Sequence, residues 1–194
     1  MNTGWPQAAQ AAEAGLFAET LSCDAVLPAD FSVGLARPGR LPQAEALLLG
    51  LAQVEDLRGE DGGEEKRGEQ LPMLVQRMDA KLDLMLVLLG RLTRQSMDAL
   101  PMRTLRWSAR GLRLHLEPGT TVPAQEAQGL LRLQPSEWLP DDLELPASVA
   151  ATAEDANGLV LWLRFPAFPP GLEEAMNRHL FRMHRRQIAD ARRR

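Results

Sequence analysis

Seven apolar residues, Leu71, Val75, Met78, Leu82, Met85, Leu89 and Leu92, follow one another at alternating spacings of four and three. This is a heptad seam, with Val75, Leu82 and Leu89 at a positions and Leu71, Met78, Met85 and Leu92 at d positions, and a period of 3.5 demands burial against a partner helix. A helix from residue 71 to 92 would be roughly 33 Å long, with an apolar strip as large as the biggest patch a soluble monomer exposes. Parallel dimers favour β-branched a residues with Leu at d, whereas two of these three a residues are Leu and d is shared between Leu and Met. Apolar side chains also spread to Leu74, Leu84, Leu86, Val87 and Leu88, and a turn apolar all round must be enclosed all round. The pattern predicts a homotetramer in which four such helices meet, with other helices packed outside. The core of a single-chain helical bundle gives the same periodicity. No buried polar a residue selects a parallel or antiparallel arrangement. Asp83, Gly90 and Arg91 interrupt the run, which leaves it short of the ~20 apolar residues of a membrane span.

With 194 residues the chain has the length of one domain carrying an insertion. Its single cysteine, Cys23, excludes an internal disulfide framework and reads as a small buried hydrophobe. The N-terminal stretch lacks the charged and long apolar regions of an export signal, so a cytoplasmic protein is expected. A net charge of −4 argues against a general nucleic-acid binder. The exception is a basic C-terminal run of Arg178, Arg182, Arg185, Arg186, Arg192, Arg193 and Arg194, read as a solvated face or one for an acidic partner. No P-loop, Rossmann glycine pattern, paired-cysteine motif or nucleophile elbow occurs, so neither an enzyme nor a cofactor is expected. His179 and His184 stand five apart, off the i, i+4 spacing of a helical metal pair. With His115 they read as solvated surface histidines, and Asp141 with Asp142 as a solvated turn.

Residues 1–12 read as a flexible lead-in. An extended segment follows over 16–26, closed by Leu27 and Pro28, and then a loop through Gly34 and Pro38. Pro42 suits a first helical turn, and Leu47, Leu48, Leu51 and Val54 carry helical spacing to about Leu57. A glycine-rich charged hinge over 58–70 precedes the heptad helix, at about 71–100. Beyond Pro101 the period falls to two: Leu105 and Trp107 alternate with polar neighbours, as do Leu112, Leu114 and Leu116. Leu130, Leu131 and Leu133 offer another strand, and a hairpin spans 148–165. A final helix over 172–192 sets Leu172, Met176, Leu180 and Met183 on one face, with Glu at its start and Arg at its end. The first strand is too short to stand alone, so it is expected to join the later strands, with the helices between them inserted into one β domain.

The segment Arg106, Trp107, Ser108, Ala109, Arg110 and Gly111 resembles the second signature of PilZ domains, Asp or Asn, any residue, Ser, two residues and Gly. Ser108 and Gly111 match, and Arg106 replaces the acid or amide. The other PilZ signature, Arg-x-x-x-Arg ahead of the barrel, is absent. Arg37-Pro-Gly-Arg40 is one residue short, and Arg178 with Arg182 has the spacing on the wrong element. Over residues 13–194 the chain is similar to an atypical, tetrameric branch of the PilZ family. The resemblance implies an α+β fold: a six-stranded antiparallel β-barrel, helices inserted over about 41–100 that form an oligomeric coiled coil, and a C-terminal helix. It also implies a place in cyclic di-GMP signalling that acts on motility, surface behaviour or virulence. Arg106, Ser108, Arg110 and Gly111 are the candidate ligand residues, and Ser108 and Gly111 read equally as a β-turn kept without a ligand. The expected protein is a non-catalytic tetrameric adaptor for other signalling proteins, with weak or absent binding of cyclic di-GMP. The alternative is a direct receptor that also uses Arg113.

Overall fold

Alternation sorts the side chains of a strand onto two faces, and a sheet closed on itself turns one of those faces into an interior. The computed structural model describes residues 4–34, 40–60, 78, 82, 99–136, 139, 141–156 and 158–193. Its elements are α1 (Gln7–Phe17), β1 (Ser22–Val33), α2 (Leu41–Glu60), β2 (Met102–Ser108), β3 (Gly111–Leu116), β4 (Gln128–Leu133), β5 (Leu143–Asp155), β6 (Gly158–Arg164) and α3 (Pro170–Arg193). The six strands pair antiparallel in the closed order β1-β2-β3-β6-β5-β4. The isolated first strand joins the later ones, as its length required: residues 22–28 pair with β2 and residues 29–33 with β4.

The interior is filled by the alternating residues of the strands, among them Leu105, Trp107, Leu112, Leu114, Leu161 and Leu163. Ala44 and Leu48 of α2 and Leu172, Ala175, Met176 and Leu180 of α3 extend the same core, so these two helices close the ring. A second cluster lies outside the ring, where Ala9, Ala12, Leu16 and Phe17 of α1 cover Ala150, Ala151, Ala153, Val160 and Trp162. A register shift between Val149 and Ala151 changes which residues of β5 face outward. Strand β6 is therefore buried on both faces: Leu159, Leu161 and Leu163 point in, and Val160 and Trp162 lie under α1.

Several boundaries differ from the sequence reading. The lead-in expected over 1–12 is helical from Gln7, and Leu16 and Phe17, placed in the first strand, end that helix. Five alanines lie in α1, and Ala has the highest helix propensity. Strand β1 runs past Pro28 to Val33, and β5 begins at Leu143, ahead of the hairpin expected from residue 148, with Pro146 paired to Leu130. Asp142, expected in a solvated turn, accepts a 2.7 Å bond from Arg132 Nε. Of the heptad residues only Met78 and Leu82 are among the described residues; both are helical and exposed, at 58% and 55%. Leu71, Val75, Met85, Leu89 and Leu92 lie outside the described residues, as does the assembly they were expected to form.

His179 is a further correction. Expected in solvent, it is 1% exposed, its ring 5.4 Å from that of Trp107 at the closed end of the barrel. Burial, with the guanidinium groups of Arg186 and Arg182, holds its pKa down to about 4 against a smaller upward pull from the Pro135 carbonyl. The unfolded chain binds this proton near pH 6.5 and the folded chain only near pH 4. Stability is therefore complete above pH 6.5 and falls between 6.5 and 4, by up to about 3 kcal/mol. Urea unfolding across that window should show a loss that is smaller in His179→Gln, while His115, also lowered chiefly by burial, titrates alike in both. Parallel pH curves would disprove the assignment.

Candidate ligand surface at the β2–β3 turn

A hairpin whose last and first residues pair directly leaves two residues for the turn. Ser108 pairs with Gly111, so Ala109 and Arg110 form the tip. The Ser108 hydroxyl is fully buried. It donates to the Leu16 carbonyl at 2.9 Å and accepts from the N–H groups of Arg110 and Gly111 at 3.1 and 3.2 Å. Gly111 is a site of close approach: a Cβ there would stand 2.2 Å from the Leu163 carbonyl oxygen and 2.9 Å from a Leu16 methyl. The two residues that match the signature thus tie the turn to β6 and to the end of α1.

The arginines divide. Arg106 lies under α1, its guanidinium 5.1 Å from the Phe17 ring centroid and within 3.1 and 3.2 Å of the Ser22 hydroxyl. Its Nη1 also reaches Glu13 Oε1 at 3.3 Å. Arg113, on the same face of β3, donates to that oxygen at 2.8 Å, and the indole N–H of Trp162 donates to Glu13 Oε2 at 2.8 Å. Arg110 is exposed, 3.5 Å from the Gly15 carbonyl. With Arg164, Phe168 and Glu173 it lines a cleft of about 400 Å³ beside α1. The structure therefore brings together Arg106, Ser108, Gly111 and Arg113 beneath α1 and leaves Arg110 at its edge.

Sequence reasoning missed Glu13, Trp5 and Trp162. Trp5 packs edge-on against Trp162 at 4.8 Å, and its ring centroid lies 5.5 Å from the Arg113 guanidinium carbon. A signal was present, since Glu13 is the only charged residue in the first eighteen. Of the other candidate arginines, Arg40 pairs with Glu144 and Arg178 with Glu174. Among the described residues, no group of three or more His, Cys, Asp or Glu side chains is placed to hold a metal ion. Nor is any helix among them long and apolar enough to cross a membrane.

Residues 48–193 match the family model described as atypical PilZ domain, cyclic di-GMP receptor. Among solved structures, the chain is similar to a pathogenic protein from Xanthomonas campestris, described as a new tetrameric PilZ domain self-assembled via an unusual helical bundle. That match has 51% identity and a TM-score of 0.78, and covers 95% of this chain and 99% of the other. The chain is also similar to the inhibitor of motility MotI/DgrA from Bacillus subtilis, at 22% identity over 46% of this chain and 43% of that one, with a TM-score of 0.36. The PilZ domain with cyclic di-GMP of YcgR from Escherichia coli matches at 20% identity over 46% of this chain and 76% of that one, with a TM-score of 0.38. No curated protein matches.

Proposed function

The chain belongs to the atypical PilZ family, and from that membership we propose that it is a non-catalytic, cytoplasmic adaptor in cyclic di-GMP signalling that binds the messenger weakly or not at all. The observation that carries this reading is the state of the signature turn. A ligand-binding hydroxyl must be free to exchange its partners, but the Ser108 hydroxyl bonds inside the fold and lies beneath α1. Arg106, standing where the family pattern has an acid or amide, is held by Ser22 and Glu13. The described N-terminal residues offer no pair of arginines to grip phosphate from the other side.

Assembly is the second half of the proposal. A relative 51% identical over nearly the whole chain is a tetramer built through a helical bundle. In this chain Leu71, Val75, Met78, Leu82, Met85, Leu89 and Leu92 carry the matching pattern. A tetramer would present four barrels at once, which raises avidity for partner proteins without any strong single site. These partners would be signalling proteins that govern motility, surface behaviour or virulence.

Calorimetric titration of the purified protein with cyclic di-GMP tests the reading. No saturable heat at micromolar concentration is expected. Saturable binding at micromolar or tighter affinity would establish the second reading, a direct receptor, which the family's description as a receptor favours.

A further inference from the structure

Helix α1 meets the strands as a ligand would. Every polar group through which it bonds to the strands and the β2–β3 turn is an acceptor: the Glu13 carboxylate, the Leu16 carbonyl and, at the edge, the Gly15 carbonyl. The strands supply only donors to it, namely the guanidinium groups of Arg106, Arg113 and Arg110, the Trp162 N–H and the Ser108 hydroxyl. The charges beneath the helix are not balanced. One carboxylate faces two partly buried guanidinium groups, and Asp24, 3.5 Å from Arg113, is 70% exposed and so counts for little. Beside the carboxylate lies a planar ring, since Trp5 spans the Arg113 guanidinium and the edge of Trp162.

An anionic acceptor group with a planar ring beside it is the chemistry of a nucleotide's phosphate and base, and guanidinium groups pair with phosphate oxygens as they do with carboxylate oxygens. The helix is also weakly anchored for its position. Its N-terminus has no side-chain cap, Gly15 lies in its last turn, and its buried residues are two alanines, one leucine and one phenylalanine. We propose that α1 is a resident competitor for a nucleotide phosphate, and that Arg106, Arg113 and Trp162 form a latent site beneath it.

This inference rests on the weak-binding reading and supplies its cause. Apparent affinity is reduced by the fraction of molecules in which the site is open. Weakening α1 should therefore raise affinity, whereas most substitutions near a site lower it.

The test is titration of full-length wild type, Glu13→Gln, Glu13→Arg and Glu13→Gln with Arg113→Ala with cyclic di-GMP, with inorganic phosphate as the control. Amide hydrogen exchange over residues 7–17 reports whether α1 is released. Glu13→Gln and Glu13→Arg should bind cyclic di-GMP about tenfold or more tighter than wild type, and Arg113→Ala should cancel the gain. The proposal is overturned if a variant with faster exchange over 7–17 and a native near-ultraviolet spectrum binds no better than wild type. It is equally overturned if the gain survives Arg113→Ala, or if inorganic phosphate binds as tightly as cyclic di-GMP. Micromolar binding by wild type with no change on releasing α1 would defeat both readings, while weak binding by every variant would defeat only this one.

Discussion

Gly111→Ala is expected to destabilise the barrel by roughly 3 kcal/mol or more, and to lower the melting temperature by about 6–12 °C on the usual scaling for a chain of this size. The added methyl would stand 2.2 Å from the Leu163 carbonyl oxygen. That oxygen cannot yield, because Leu163 pairs with Leu112 on β3 and with Val149 on β5, and its side chain fills the interior. Retreat in the other direction is blocked by Leu16 at 2.9 Å. Gly15→Ala is the control. It lies next to that same leucine in the helix, with nothing within 4 Å of where its new methyl would stand, and it should gain about 0.5–1 kcal/mol from helix propensity. Urea unfolding of the two variants should move in opposite directions. A Gly111→Ala midpoint equal to that of wild type would mean that β3, β6 and α1 do not approach as closely as described.

The same geometry separates what the sequence could convey from what it could not. Ser108 and Gly111 were identifiable from their spacing, and the period-two runs through Trp107 and Leu114 located the strands around them. Such signals are local: alternation records which face a residue takes, and a short turn records how the chain reverses. The pairing of β1 with later strands was also legible, because a strand cannot stand alone. What lay on top of the turn was not legible. Helix α1 buries alanines rather than a bold apolar stripe, and it begins after Pro6 with no side-chain cap, so neither periodicity nor capping announced it. Its high alanine content was the available signal. His179 departs from the solvated position that its spacing suggests for a related reason. Spacing on a helix shows which residues share a face, but whether that face meets solvent or the end of a barrel depends on tertiary packing. Arg106 illustrates the point at the candidate site, where its partners, Ser22 and Glu13, lie 84 and 93 residues away in the chain.

If the proposed tetramer forms through the heptad seam, replacing Leu82 and Leu89 together by Asp is expected to give monomers with the barrel intact. The argument begins with Leu82, which is helical and 55% exposed on the single chain, one turn from Met78 at 58%. Apolar side chains so exposed, and set in a heptad pattern, call for cover by another copy. A carboxylate at an a position inside such a seam would be buried without a partner, which costs several kcal/mol for each group, and every copy in the bundle adds to that cost. The barrel should survive because, among the described residues, its core draws on Ala44 and Leu48 of α2 and on α3, not on Met78 or Leu82. Analytical ultracentrifugation gives the mass, and the near-ultraviolet signal of buried Trp107 and Trp162 reports the barrel. Monomers with a native signal would place the seam at the interface between copies. An unchanged mass would remove the seam from that interface. A monomer that has lost its native signal would mean that the barrel depends on the heptad helix, whether within one chain or through assembly.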